Sequence, residues 1–264
     1  MKHGILMADT HCGHRAGLTH PDHMSRDAKW HDIQVECWDR YMDLVERLSP
    51  VDFVIQNGDG LDGRGERSGG SELIVGTLAE QCEMNALALA AWKAPVYILS
   101  RGTDYHTGWG GEDWEDIVAE KLRAMTGAKV IIKNHPFVEI EGVTFDVKHH
   151  VGSSSVPHTG GTALLRDKTW NEQWYLDGEG QPLGDVILRA HAHWFEFYGG
   201  MRGKRPWVAI RQPALQAAGT KYGGRRCSRT VHWGLISLKV ENAEFEWTPH
   251  IANVAANKVK AVRL

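Results

Sequence analysis

The sequence predicts an α/β protein: one domain, residues 1–264, made of two packed sheets flanked by helices. Three observations predict it. The first half alternates short apolar runs with segments of helical periodicity, a βαβαβα order. The second half holds six strand-like runs with only one helix-like segment among them. No internal repeat or low-complexity linker interrupts the 264 residues, so the two halves are assigned to one layered unit.

Gly4–Ala8 is a short apolar run that stops at Asp9-Thr10-His11. Trp30 to Leu48 carries Ile33, Cys37, Tyr41, Leu44 and Leu48 at helical spacing, and Ser49-Pro50 ends it. Val51–Gln56 reads as a buried strand closed by Asn57-Gly58-Asp59-Gly60. A polar, glycine-rich loop follows to Gly70, then an Ala- and Leu-rich helix over Glu72 to Trp92. Pro95–Ser100 is a further strand that runs into Arg101-Gly102-Thr103-Asp104-Tyr105-His106. The next helix, Asp113 to Met125, has acids at its start and Lys121 and Arg123 near its end, matching the helix dipole. Val130–Lys133, Phe137–Ile140, Val143–Lys148, Asp185–Arg189, Trp207–Arg211 and Gly234–Val240 read as strands, and Ala163–Trp174 as a helix.

With 42% hydrophobic and 24% charged residues the composition is that of a globular protein, which excludes disorder, collagen and coiled coil. A net charge of −3 gives no global basic field toward nucleic acid. No apolar run approaches the roughly 18–20 residues of a membrane span, so no membrane association is expected. An acid at Asp9 interrupts any signal-peptide core. Cys12, Cys37, Cys82 and Cys227 are far apart without a CxxC pair, which excludes a zinc ribbon and a disulfide framework and fits a cytoplasmic location.

The 15 histidines carry the functional signal. At five places a strand-like run ends and metal-capable side chains follow at once: Asp9/His11, Asp59/Asp62, Thr103/Asp104/His106, His149/His150 and His191/His193. Strand ends at one edge of an α/β sheet converge on a single crevice. At i, i+2 spacing, Asp9 and His11 leave an extended segment on one side, as do His191 and His193. Carboxylate mixed with imidazole suits Mn²⁺, Fe and Zn²⁺, with Ni²⁺ or Co²⁺ as alternatives, whereas an all-oxygen set would suggest Mg²⁺ or Ca²⁺. A bridging carboxylate with several histidines is the inventory of a two-metal site. Each fragment alone has a bland reading: Gly58-Asp59-Gly60 is a turn, and His191-Ala192-His193 a strand face. Their order and shared context point to chemistry.

In that order the motifs resemble those of the calcineurin-like metallophosphoesterase superfamily: D-x-H, G-D-x-x-D, G-N-H-D/E, a lone His and G-H-x-H, each after a β-strand. The matches are Asp9-Thr10-His11, Gly58-Asp59-Gly60-Leu61-Asp62, Gly102-Thr103-Asp104-Tyr105-His106, His149-His150 and Ala190-His191-Ala192-His193, covering roughly residues 4 to 240. The resemblance implies a four-layer α/β/β/α sandwich of two mixed sheets flanked by helices, and two divalent metal ions, Mn²⁺ foremost. It implies Asp9, His11 and His193 at one metal, His149 and His191 at the other, and Asp59 between them. His106 would contact the phosphate and assist the leaving group, and Asp62 would support a metal-binding histidine. The implied reaction is hydrolysis of a phosphate ester by in-line attack of a metal-activated water.

Two departures stand out. Thr103 replaces the amide ligand of the third motif, and two residues are inserted before His106, a Gly-Thr-x-x-His form similar to that of viral and phage members of the family. Ala190 replaces the glycine before His191. Thr103, Asp104 and His150 are therefore further candidates as ligands or supports.

Around these motifs, His14, Arg15, His20, His23 and His31 occupy the first loop, where Arg15 is a candidate phosphate contact and the rest read equally as a solvated loop. Arg64 and Arg67 follow the second motif, and Arg64 is a candidate substrate contact. Met201-Arg202-Gly203-Lys204-Arg205 and Lys221, Arg225, Arg226 and Arg229 are the basic clusters. They fit either a solvated face or a nucleic-acid backbone, with Trp207 and Tyr222 for stacking. The loop holding His158, Thr159 and Gly160 to Thr162 could close over substrate. The expected partner is a phosphate-ester substrate, with nucleic acid or a nucleotide favoured and Lys221 and Arg225 as contacts. The alternatives are a phosphomonoesterase, a phosphoprotein phosphatase, or a metal-binding protein without turnover. Oligomeric state is not legible.

Overall fold

The computed structural model describes residues 1–108, 113–152, 156, 159–219 and 231–254. Two mixed sheets face one another. The first has six strands in the order β11-β10-β1-β2-β3-β4, namely Glu244–Ala252, Trp233–Glu241, Lys2–Met7, Phe53–Asn57, Val96–Ser100 and Lys129–Lys133. The second has five, β5-β6-β7-β9-β8: Phe137–Ile140, Val143–Val147, Val186–Arg189, Arg205–Arg211 and Glu196–Arg202. β1 to β4 run parallel, as do β6, β7 and β9, while β5, β8, β10 and β11 make antiparallel pairs.

The period-two alternation of each strand separates the layers. Ile5, Met7, Val54, Tyr97 and Leu99 point to one core with helices α1 (His31–Leu48), α2 (Leu78–Ala90) and α4 (Trp114–Thr126). Their neighbours Leu6, Phe53, Ile55 and Ile98 face Val143, Phe145, Val147, Val186, Leu188 and Ile210 across the gap between the sheets. Ile187 and Ala209 turn outward to meet Leu164 of α5 (Thr162–Leu176). The layers are thus helices, sheet, sheet, helix.

Most expected elements lie within two residues of their sequence bounds; one helix differs, and β8, β11 and a single helical turn join the expected set. The second long helix begins at Leu78, not Glu72, because the Thr77 hydroxyl accepts the Glu80 N–H and sets the start there. The preceding stretch serves the first loop instead: the Glu72 carbonyl accepts the Arg15 N–H, and Leu73 bridges to His14. β8 and β11 carry no apolar run to announce them. Both are edge strands with solvent-facing positions, and β11 contains Pro249, tolerated only where no ladder bond is needed. The residues inserted before His106 form a single helical turn, α3 (Asp104–Thr107). Among the described residues no helix is long and apolar enough to cross a membrane.

Candidate metal centre

β1, β2 and β3 are parallel in one sheet and β6 and β7 in the other, and the loops after all five bring their polar side chains to one place. Among the described residues, three groups have ligand atoms within 4.8 Å of one another: Asp9/His11/His193, Asp59/His149/His191 and His11/Asp62/His106. His193 Nε2 lies 3.2 Å from both Asp9 Oδ1 and His11 Nε2. Asp59 Oδ2 lies 2.9 Å from His149 Nε2 and 3.8 Å from both His191 Nδ1 and His106 Nε2. His149 Nε2 is also 3.9 Å from Asp9 Oδ1, so the first two groups share a wall.

The backbone is strained to make this so. Asp9, His11, Asp59, His191 and His193 all have positive φ, between 43° and 71°. Such a conformation costs a non-glycine residue of order 1–3 kcal/mol and persists where surrounding structure enforces it, typically at functional sites. Turning the chain sharply past each strand end aims successive polar side chains inward. Glycine is required where the loops touch: a Cβ on Gly102 would sit 2.1 Å from Asp59 Oδ1, and one on Gly58 2.6 Å from the His149 ring.

Neighbouring groups set the histidine tautomers. His149 Nδ1–H donates to the Asn57 carbonyl (2.7 Å) and His106 Nδ1–H to the Asp62 carbonyl (2.8 Å), leaving each Nε2 as the inward atom. His11 Nδ1 lies 3.3 Å from Asp62 Oδ1, so its Nε2 likewise faces Asp9. Metal-binding histidines are generally held in this way through the far ring nitrogen.

The residues present fit divalent cations. Asp9 Oδ1, His149 Nε2 and His191 Nδ1 are buried with no hydrogen bond although they crowd other polar atoms, an arrangement that otherwise carries a large desolvation cost. Burial opposes charge throughout, yet the carboxylates win. Their proximity outweighs burial and holds His11 up at about 10 and His149 at about 9, while the imidazoles keep Asp9 and Asp59 well below the usual carboxylate range. Two carboxylates that recruit protons as counter-charges are a site demanding cations, which would displace those protons on binding. Burial pushes His106 down to about 4 and also lowers His193.

The other candidates fall into place around this centre. Thr103 donates to Asp59 Oδ1 through its N–H (2.7 Å) and its hydroxyl (3.2 Å), orienting the carboxylate. Asp104 opens α3 with an exposed side chain and belongs to none of the three groups. His150 is exposed, its ring 4.9 Å from that of His191. The Arg15 guanidinium pairs with Glu72 and lies 4.1 Å above the Trp30 ring, so its charge is committed locally. Arg64 is exposed beside a crevice bounded by Tyr105 and His106.

The cluster at 201–205 is the β8–β9 turn, where Arg202 and Arg205 both pair with Asp185. It lies at the starting end of β9, and His191 and His193 follow the finishing end of the parallel β7, so it is remote from the centre. Trp207 is covered by Lys168 at 4.4 Å. Lys221, Tyr222, Arg225, Arg226, Arg229 and His158 lie outside the described residues, as does the side chain of Arg67.

Sequence reasoning missed Glu115 and Asn57. Glu115 is buried and accepts the Gly60 and Gly102 N–H groups, yet in the sequence it is one more acid at a helix start. Asn57 receives the Ser100 hydroxyl and donates to Gln212 Oε1, holding together strand ends of both sheets, while its sequence signature is only that of a turn.

No family model and no curated protein matches the sequence. Among solved structures, the chain is similar to an archaeal phosphodiesterase at 14% identity, over 94% of this chain and 99% of that one, with a TM-score of 0.46. It is similar to Vps29 of Entamoeba histolytica complexed with zinc at 13% identity, over 96% and 99%, TM-score 0.44. It is also similar to the E. coli phosphoesterase Yfce at 10% identity, over 96% and 99%, TM-score 0.40.

Proposed function

We propose that this protein is a metal-dependent phosphoesterase with a dinuclear centre, acting by preference on phosphodiesters. The observation that carries the reading is the convergence of Asp9, His11, Asp59, His149, His191 and His193 at four strand ends, five of these six residues held at positive φ. Asp9, His11 and His193 would hold one ion, His149 and His191 the other, and Asp59 would serve both. Imidazole-rich ligation favours Mn²⁺ over Mg²⁺. Ions bound there would supply Lewis-acid polarisation of the phosphoryl group and a nucleophilic water.

The protein's own groups have distinct tasks in this reading. Asp62 lies beside His11 Nδ1 at 3.3 Å and would support that ring, and the Asn57 carbonyl keeps the His149 Nε2 lone pair inward. Thr103 holds Asp59 chiefly through Oδ1, its hydroxyl 3.5 Å from Oδ2, and so orients the carboxylate that would serve the cations. His106, brought in by the single turn of α3, presents Nε2 at 3.8 Å from Asp59 Oδ2, where it would meet the leaving oxygen or a phosphoryl oxygen. The substrate is a phosphate ester, and a nucleotide or nucleic acid is the class in which diesters abound.

The test compares hydrolysis of bis-p-nitrophenyl phosphate with that of p-nitrophenyl phosphate, after chelation and after return of Mn²⁺. Mn²⁺-dependent turnover with the diester ahead supports the reading. The monoester ahead makes it a phosphomonoesterase. Bound Mn²⁺ without turnover of either would leave a metal-binding protein.

A further inference from the structure

We propose that Glu115 is a positioning residue of this centre, its carboxylate clamping the second and third ligand loops together so that Asp59 presents Oδ2 to the cations. The inference rests on the phosphoesterase reading and adds a residue that no motif contains. Glu115 stands in the first turn of α4, where an acid ordinarily serves its own helix's N–H groups and dipole. Here both oxygens are spent elsewhere: Oε1 accepts Gly60 N–H at 2.9 Å and Oε2 accepts Gly102 N–H at 2.7 Å.

Gly60 directly follows Asp59 and Gly102 directly precedes Thr103, so each clamp bond lies one residue from the Asp59–Thr103 bond. The three contacts form one closed arrangement across two loops. Its tolerance is small, because Gly102 approaches Asp59 so closely that a single Cβ there would collide. The adjacent Asp116 holds the same segment from outside, its two oxygens 2.7 and 3.0 Å from Arg101 Nη2.

Burial argues that the clamp has a purpose. Glu115 is 3% exposed, and among the described residues it pairs with no Lys or Arg. A buried carboxylate without a cation partner is costly unless its oxygens are well hydrogen-bonded. A neutral acceptor or an apolar residue would suit a helix–loop contact made for packing alone. Two backbone N–H groups, both belonging to ligand loops, are what this carboxylate is matched to.

The test uses Glu115→Gln, which keeps size and shape but turns one acceptor into a donor facing an N–H. Glu115→Asp, too short to span both loops, replaces it should the first variant not fold. Asp116→Asn is the control, since it loosens Arg101 without touching Gly60 or Gly102. Loss of a group that supports metal ligands typically weakens metal affinity or activity about 10–100-fold. The expected result is a fall of that size in Mn²⁺ affinity by calorimetry, with kcat on bis-p-nitrophenyl phosphate falling and KM near the parent's. Amide exchange at Gly60 and Gly102 should quicken in the metal-free variant. Mn²⁺ affinity, kcat and exchange matching those of the parent would overturn the inference. So would losses no larger than those of Asp116→Asn. A parent that takes up no Mn²⁺ would refute the phosphoesterase reading, and this inference with it.

Discussion

Asp59→Asn tests the shared carboxylate directly, because the structure dictates which way the new amide must face. Asp59 Oδ1 accepts the Thr103 N–H at 2.7 Å, so the amide oxygen has to take that position. The amide nitrogen then replaces Oδ2, 2.9 Å from His149 Nε2, and points N–H groups where lone pairs were needed. The variant loses a unit of negative charge in a site where Asp59 is only 1% exposed. Two unit charges about 4 Å apart interact by about 4 kcal/mol at an effective dielectric of roughly 20. At about 1.4 kcal/mol per decade that is nearly 10³-fold in affinity for a single charge, and more for a divalent ion. Both ions should be lost together and turnover should fall to background. Asp62→Asn is the comparison: Asp62 lies 3.3 Å from His11 Nδ1 and would support that ring rather than hold an ion, so the loss should stay within about 10–100-fold. Metal content after dialysis, Mn²⁺ calorimetry and turnover on bis-p-nitrophenyl phosphate decide the matter. If the two variants behave alike, or Asp59→Asn keeps either ion within tenfold of the parent's affinity (roughly 1.4 kcal/mol), the reasoning is wrong.

Three further outcomes are expected. His106→Ala should keep its metals and lose about 10²–10⁴-fold in turnover, the range for a proton-transfer group; loss of metal would make His106 a ligand. Chelation should abolish activity and lower Tm, since Mn²⁺ at 100 times Kd adds about 2.7 kcal/mol per site that binds only the folded state; full activity with Mg²⁺ alone would contradict the histidine-rich site. Asp146→Asn should destabilise the metal-free protein in urea titration, by less than the about 3–5 kcal/mol of a buried charge left alone, because Arg189 loses Asp146 but keeps Asp167 at 2.7 Å. Burial alone would raise the Asp146 pKa, but Arg189 and His135 hold it at about 2. Because this pKa is depressed, the pair's stabilisation is present above the unfolded value of about 3.9 and is lost as pH falls toward about 2. The parent should therefore lose stability more steeply than the variant across that window, and parallel curves would refute it.

Local periodicity alone determined the α/β class, the separation of the layers and the bounds of nearly every buried element, since burial on one face writes itself into spacing. Ligand candidates were legible for a related reason: Asp9, Asp59, His149 and His191 each follow an apolar run, and the end of a parallel strand is where a side chain enters the crevice. The edge strands β8 and β11 were not legible, because one side of each meets solvent and no apolar run is demanded. Nor was the late start of α2, where a threonine cap and the needs of Arg15 overrode helix propensity. Only the tertiary structure decided which candidates meet. It folded the inserted residues into a turn that returns His106 to the centre, left Asp104 in solvent, committed Arg15 to Glu72, and recruited Glu115 from a distant helix. Those outcomes depend on hydrogen bonds between residues 13 to 92 positions apart, and no local pattern encodes a partner at that distance.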